Sequence, residues 1–426
     1  MSLATLPITS PAKSLRGTRS SSVTARPAVR NRVQVVAPDL RIADNPAASV
    51  LRVASVEGPI SRDIAARATG LSIATVNRQV ASLLGAGLLR ERADLTTSGA
   101  IGRPRVPFEV NHEPYSTVGI HIGAIVTGIV VSDLRGRILG AVEIPTPSGS
   151  AEVSLHAITR SAAAFAARWH RRTPLWVGVA LGGRVDAATG SVDHPRLGWE
   201  GAQVGAIVGG GLGLPVSVSG HVEAMAASEL LLTPARADAP PTGTSLFFYA
   251  RETAGIALTI DGRVHTPSTG PGSIAHLPTG SNALCACGNR GCLEASVSDR
   301  AVLSAAIDKG VLPEGAPVAA LYQAAHDGSA GARDILVERA QILGRTVGLL
   351  RDLFNPDRVV LGGQAFTEYS SGLPHVAEAF GRTSTLPRKD IRITGFGNKV
   401  QEYAAAVVSL SSVYSDPLAS MRRAAA

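Results

Sequence analysis

Between Asn45 and Gly87 the apolar residues recur at helical spacing. Pro46 suits a first helical position, Val50, Leu51, Val53 and Ala54 supply an apolar stripe, and Gly58-Pro59 closes the segment. Ser61 can cap a second, short helix through Ile64, Ala65 and Ala68 that stops at Gly70. Ser72 can cap a third, in which Val76, Val80, Leu83 and Leu84 keep one face apolar until Gly85 and Gly87 end it. Two short helices joined at Thr69-Gly70-Leu71 make a helix-turn-helix. Leu88 to Arg92 and Val106 to Val110 then read as strands on either side of a Thr/Ser/Gly-rich tip, the hairpin of a winged helix.

After Val110 the pattern becomes α/β. Strands are expected at 118–123 and 128–140, the latter interrupted by a turn at Asp133 to Gly136, followed by a helix over 152–171 and a buried strand from Leu175 to Leu181 that leads into a loop. Val216 to Val218 reads as a strand before a helix from Ala224 to Leu231. A Pro/Ala-rich surface connection, 235–244, precedes a hairpin over 247–260 with its turn at Asp261-Gly262. A long helix from Ala332 is broken by Asn355-Pro356, a strand follows at 358–361, and Val400 to Val413 forms a last amphipathic helix before a tail, 416–426, expected to fray. No internal repeat is visible.

Charge divides the chain sharply. Residues 1–110 hold 15 Lys+Arg against 7 Asp+Glu, whereas the remainder holds 26 of each. The excess is where a polyanion would be met. Residues 1–40, rich in Ser, Pro and Arg, read as a disordered basic arm, which would equally serve as a solubilising tail. The helical module over 41–110 could dock a protein, but its charge and the tip Gly102-Arg103-Pro104-Arg105 favour DNA. An arginine held extended between Gly and Pro suits a narrow minor groove. Arg103 and Arg105 are therefore candidates for the minor groove, Thr75, Asn77 and Arg78 for base edges in the major groove, and Ser72 for DNA contact beside them. Arg62, Arg90 and Arg92 suit phosphate. No apolar run is long enough to span a membrane and no signal-like core follows the N-terminus, so a cytoplasmic, nucleoid-associated protein is expected.

The three cysteines, Cys285, Cys287 and Cys292, lie within eight positions, with Gly288 and Gly291 between them. A disulfide would leave an odd thiol and lacks an oxidising context. Cys-x-Cys-x4-Cys with His276 nine residues upstream instead predicts a closed structural Zn2+ site of the Cys3His type.

His276, eight residues, then Cys285-Ala-Cys-Gly-Asn-Arg-Gly-Cys-Leu-Glu294 resembles the signature of the ROK family of bacterial sugar kinases and sugar-responsive transcription regulators. The resemblance implies a two-lobed, actin-like ATPase module over 111–415, with lobe 1 at about 111–230, lobe 2 at about 245–355 and a C-terminal return to lobe 1. A Gly-Arg-Pro tip is likewise frequent in the DNA-reading domain of the family's regulators. The family's kinases carry Asp-x-Gly-Gly-Thr in the first hairpin, where this chain has His121, Gly123, Ala124 and Ile125. Their sugar-binding Asn and general-base Asp correspond to Gly220 and His221, with Glu223 on a helical start expected to point elsewhere. Their Gly-Thr-Gly phosphate turn corresponds to Arg251-Glu252-Thr253, and their Glu ahead of the histidine ligand to Ser273. Of the implied effector positions Gly220, His221, Ser273, His276 and Glu294, only His276 and Glu294 keep the family residue. The Gly-Gly turn at 362–363, adenosine-adjacent in the kinases, persists, but such a turn is equally a packing feature.

These readings converge on a non-enzymatic regulator: a winged helix-turn-helix that reads a double-stranded operator, on a pseudokinase body that forms a homodimer or homotetramer and senses an effector, connected with carbohydrate metabolism. Two alternatives are an effector that is a protein or a non-sugar metabolite, and a retained sugar kinase activity, against which the missing acid, hydroxyl and base all weigh.

Overall fold

The computed structural model describes residues 33–96, 106–233, 243–267, 272–387 and 390–426. The arm over 1–32, the tip with Arg103 and Arg105, and most of the 235–244 connection lie outside the described residues. No helix among the described residues is long and apolar enough to cross a membrane.

Three helices come first, α1 (Pro46–Glu57), α2 (Arg62–Thr69) and α3 (Ile73–Gly85), then a two-stranded antiparallel sheet of β1 (Leu89–Glu91) and β2 (Phe108–Val110). Asn45 caps α1 and Ser72 caps α3 by accepting backbone N–H groups. Ser61 does not cap α2 with its side chain; its hydroxyl donates to Asp63 instead. Val76, Val80 and Leu83 are fully buried on one face of α3.

The first lobe contains β3 (Tyr115–Ile122), β4 (Val126–Ser132), β5 (Ile138–Pro145), α4 (Ala151–Ala166), β6 (Thr173–Leu181), β7 (Arg184–Asp186), β8 (Ser191–His194), β9 (Trp199–Ala202), α5 (Val204–Leu212), β10 (Val216–Gly220) and α6 (His221–Leu231). The second contains β11 (Thr244–Ala250), β12 (Ala254–Ile260), β13 (Arg263–Val264), α7 (Leu293–Val297), α8 (Asp299–Asp308), α9 (Val318–His326), α10 (Ala330–Phe354), β14 (Arg358–Gly362), α11 (Gln364–Thr367), α12 (Leu373–Thr383) and β15 (Asp390–Ile393). Strand orders β10-β6-β3-β4-β5 and β15-β14-β11-β12-β13 are the same arrangement built twice: an antiparallel meander whose first strand is joined by two parallel strands. The repeat is one of topology that the sequence does not display.

The chain returns through α13 (Val400–Ser415), which lies on the first sheet. Gly119 and Gly178 permit this approach, since a methyl at either would run into the α13 backbone near Ala405 or Ser409. The tail expected to fray forms a further helix, α14 (Pro417–Ala424), because Leu418 and Met421 find apolar cover on the N-terminal module. That module and the body share one core: Leu51, Val76, Val80 and Leu83 pack with Leu134, Leu175, Leu410 and Val413. Burying each such side chain contributes roughly 1.5–3 kcal/mol, so the two parts are held as one packed unit.

Three expectations need correction. Residues 33–40 are not part of a free arm: Val36 N–H donates to Val216 O and Val216 N–H to Gln34 O on the edge of the first sheet. Val264 N–H then donates to Leu40 O, and Ile42 N–H to Gly262 O, on the edge of the second. The segment is a strap that satisfies two exposed strand edges before entering α1. The loop expected after Leu181 is a three-stranded sheet, β7-β8-β9. The helix expected from Ala224 begins at His221 with Gly220 as its N-cap.

Candidate functional site

On the N-terminal module, burial of Val76, Val80 and Leu83 turns the rest of α3 outward. Ser72, Asn77 and Arg78 are exposed and Thr75 is partly so. Ser72 is occupied with the cap, accepting from the Thr75 amide at 3.2 Å and donating to its hydroxyl at 3.0 Å. The side chains of Asn77 and Arg78 have no partner among the described residues. Ile73, half exposed at 50 % in the first turn, continues the stripe of Val76 and Val80 at i+3 and i+7 spacing but lies past the end of its cover, so its apolar spacing gives no sign of its exposure.

The three arginines assigned to phosphate are already engaged. Arg62 pairs with Glu91 at 3.0 Å, and Arg90 and Arg92 converge on Glu109 at 2.8 and 3.0 Å, joined by Arg135 from the first lobe at 3.1 Å. Burial opposes ionisation of Glu109, but the hydrogen bonds from Arg90 and Arg92 outweigh it and hold the carboxyl below its usual range. Arg90 and Arg92 thus tie the two sides of the small hairpin together, and Arg135 ties it to the body.

His276, Cys285, Cys287 and Cys292 come together with their ligand atoms all within 4.8 Å of one another. Cys285 Sγ lies 3.6 Å from His276 Nδ1, and Cys287 Sγ lies 3.7 Å from Cys292 Sγ. A tetrahedron of ligands about 2.3 Å from its centre has edges of about 3.8 Å, so the spacing fits a central ion and the cluster could hold a metal. Gly288 and Gly291, both at positive φ, fold the loop back to bring this about. The Asn289 backbone N–H and the neighbouring thiol of Cys285 bring the Cys287 thiol down to about 7, while burial among the other thiols pushes Cys292 up to about 11. A central cation would supply the charge needed to keep three thiolates together.

Between the lobes, His121 at the end of β3 stacks on His221 at the start of α6, with ring centroids 5.7 Å apart. His221 meets the Tyr249 ring edge-on at 5.5 Å. The Tyr249 hydroxyl accepts from Gln401 Nε2 at 2.8 Å, and Arg251 donates to Gln401 Oε1 at 2.6 Å. His121 and Arg251, at positions that resemble the family's two phosphate turns, are thus engaged with other side chains, whereas Ile125 and Glu252 of the same turns line a cavity of about 380 Å³. Desolvation, helped by the nearby His194 and Arg196, lowers His221 to about 4, and burial takes His121 well below the usual value; both are neutral at neutral pH. Glu223 does not point away: it is buried, its carboxylate fills the space a side chain at Gly220 would need, and burial raises its pKa.

Glu294 accepts an ion pair from Arg196 at 2.6 Å, joining the segment between β8 and β9 in the first lobe to the first turn of α7 in the second. Arg196 and the buried His194, which packs against Trp199, were not foreseen, because strands of three and four residues give too few alternations to be read. Ser273 is exposed and accepts from the Ala275 amide, and His276 faces the cysteines. No hydrogen bond or ion pair among the described residues joins Gly220 or His221 to Ser273, His276 or Glu294.

Comparison with known proteins agrees with this architecture. The ROK family model matches residues 117–380, which leaves the N-terminal module upstream of the match. A transcriptional regulator of Mycobacterium tuberculosis (strain ATCC 25618 / H37Rv) is 52% identical over 421 residues, covering 96% of this chain and 95% of its own. The N-acetylglucosamine repressor of Escherichia coli O157:H7 is 24% identical over 331 residues, covering 74% and 80%. Among solved structures, a ROK family transcriptional regulator homologous to the Escherichia coli Mlc protein superposes with a TM-score of 0.73 at 23% identity, over 90% of this chain and 99% of its own. A ROK family glucokinase from Streptomyces griseus, in complex with glucose and AMPPNP, gives 0.61 at 24% identity, over 69% and 99%. The chain belongs to the ROK family.

Proposed function

We propose that the protein is a DNA-binding transcriptional regulator whose N-terminal module is a winged helix-turn-helix and whose two-lobed body no longer transfers phosphate. The observation that carries this reading is the outward face of α3. Asn77 and Arg78 are exposed and unpartnered there, on a helix whose opposite face is fully buried. Asn pairs with adenine and Arg with guanine at major-groove edges, and the exposed Ile73 suits a thymine methyl. Two copies of α3, held at fixed separation in a homodimer, would read a pseudo-palindrome.

The body supports a non-enzymatic role. A phosphoryl-transfer site needs an acid for metal, backbone amides open to phosphate and a base for the sugar hydroxyl. In their places stand His121, the Arg251–Gln401 contact and a His221 that is a weak base at about 4. The Cys3His cluster is a structural zinc site, its tetrahedral spacing and thiolate-rich donor set matching that ion. Held by Cys285, Cys287, Cys292 and His276, zinc would fix the loop that leads into α7 and Glu294.

The relative named N-acetylglucosamine repressor suggests a sugar effector. The Arg196–Glu294 pair favours a second reading, an effector that is not a simple sugar, because it consumes the carboxylate that would meet sugar hydroxyls. Selection of genomic fragments with the purified protein tests the function: one enriched pseudo-palindrome, with loss of its binding in Arg78→Ala, is expected. Titration with free sugars and phosphosugars then separates the effector readings.

A further inference from the structure

We infer that the cavity at the joint between the N-terminal module and the body is a binding site for a compact organic carboxylate with a short apolar tail. The cavity, of about 190 Å³, is lined by the strap, α1, the turn between β4 and β5, the end of α6 and Tyr414 of α13, and opens to solvent beside Arg52 and Val56. Three arginines line it, Arg41, Arg52 and Arg135, and among the described residues no Asp or Glu does. Two of the three are balanced from outside the cavity: Arg41 by Asp39 at 2.9 Å, and Arg135 by Glu109 at 3.1 Å, a carboxylate also shared with Arg90 and Arg92. Arg52 is exposed along part of its side chain yet has no acidic partner among the described residues, and the walls packed around it lower its pKa by desolvation. A ligand carboxylate would supply the missing charge and accept the planar, bidentate geometry that guanidinium offers.

The rest of the wall sets the other half of the ligand. Ile42, Leu51, Val56, Leu231 and Leu232 make it largely apolar, and Ser55 and Thr233 add hydroxyls. An inorganic anion would leave the apolar wall uncovered, and a neutral apolar molecule would leave Arg52 unpaired. The volume is below that of a drug-sized pocket, which restricts the body of the ligand to a few carbons or one small ring. An occupant would touch the strap and α1 on one side and the end of α6 on the other, and so would fix how the module seats on the body.

The test uses the full-length protein without DNA, so its outcome is independent of operator binding. Hexanoate and benzoate, with acetate and inorganic phosphate as controls, are titrated calorimetrically at constant ionic strength. Saturable binding of hexanoate or benzoate near one per chain is expected, at least tenfold tighter than either control and at least tenfold weaker in Arg52→Met, whose side chain keeps the apolar stem. Thermal melting checks that Arg52→Met is folded, and Arg52→Lys, which keeps the charge without the fork, is expected to bind with intermediate affinity. Three results would each overturn the site: no saturable binding of either probe to the wild type, equal binding to a folded Arg52→Met, or phosphate binding as tightly as hexanoate.

Discussion

The cysteine cluster and the interlobe cleft are neighbours in the chain, with only Leu293 between Cys292 and Glu294, yet the cluster holds all four residues of the family signature, whereas the cleft has different residues at most of the positions the family's kinases use. All four candidate metal ligands come from one loop, so their geometry depends on local spacing and two glycines. The cleft draws on β3, α6, β11 and α7, each of which must supply its own group. In those places His121 now stacks on His221, Arg251 donates to Gln401 and Glu294 pairs with Arg196. A site built from one short loop depends on local spacing alone, whereas a site drawn from four separate elements can change at each of them while the fold beneath it stays the same.

The largest expected effect breaks the first region. Cys287→Ser should release about one zinc per chain and strongly destabilise the second lobe, since structural zinc contributes on the order of 10 kcal/mol in small zinc domains. Metal analysis with thermal melting checks this; full zinc and an unchanged melt would show that the cluster is not a metal site. The second region should be inert: incubation with ATP, Mg2+ and a panel of sugars should give no phosphosugar, the loss of a general base alone being worth about 10²–10⁴ in rate. Steady turnover would overturn the contrast.

A smaller effect concerns pH. His221 titrates at about 4 in the folded protein against 6.5 when exposed, so between these values the unfolded chain binds the extra proton and the native state does not. Stability should therefore fall as pH drops from about 6.5 to about 4, and His121 and His194, lowered by burial, act in the same direction. His221→Phe should flatten denaturant-measured stability over this window relative to wild type, with zinc content followed in parallel. The smallest effect is that of Arg196→Ala. A part-exposed ion pair contributes about 1 kcal/mol or less, so melting should barely change while small-angle scattering reports a wider interlobe opening.

Legibility followed the same division between local and dispersed. The third helix was readable because Ser72 and the Val76, Val80, Leu83 spacing are contiguous signals, and the Cys/His cluster because four ligands share one short stretch. The strap over 33–43 carries no periodicity, since it is held by backbone hydrogen bonds to strand edges far along the chain. Arg90 and Arg92 looked free for phosphate because Glu109 lies 19 and 17 positions away. The direction of Glu223 is not legible because the helix starts three residues earlier than its apolar pattern indicates, which turns its carboxylate back over Gly220. The final helix was missed because its cover comes from the N-terminal module rather than from its own sequence.

The central claim is that α3 reads sequence from a body that has given up catalysis. The most direct test is titration of the selected genomic fragment against random DNA at several salt concentrations, with wild type and Asn77→Ala/Arg78→Ala. The account predicts that the wild type binds the fragment about 10³-fold or more above random DNA, and that the double variant loses this preference while retaining salt-dependent non-specific binding. Equal, steeply salt-dependent binding of both DNAs by the wild type would contradict it.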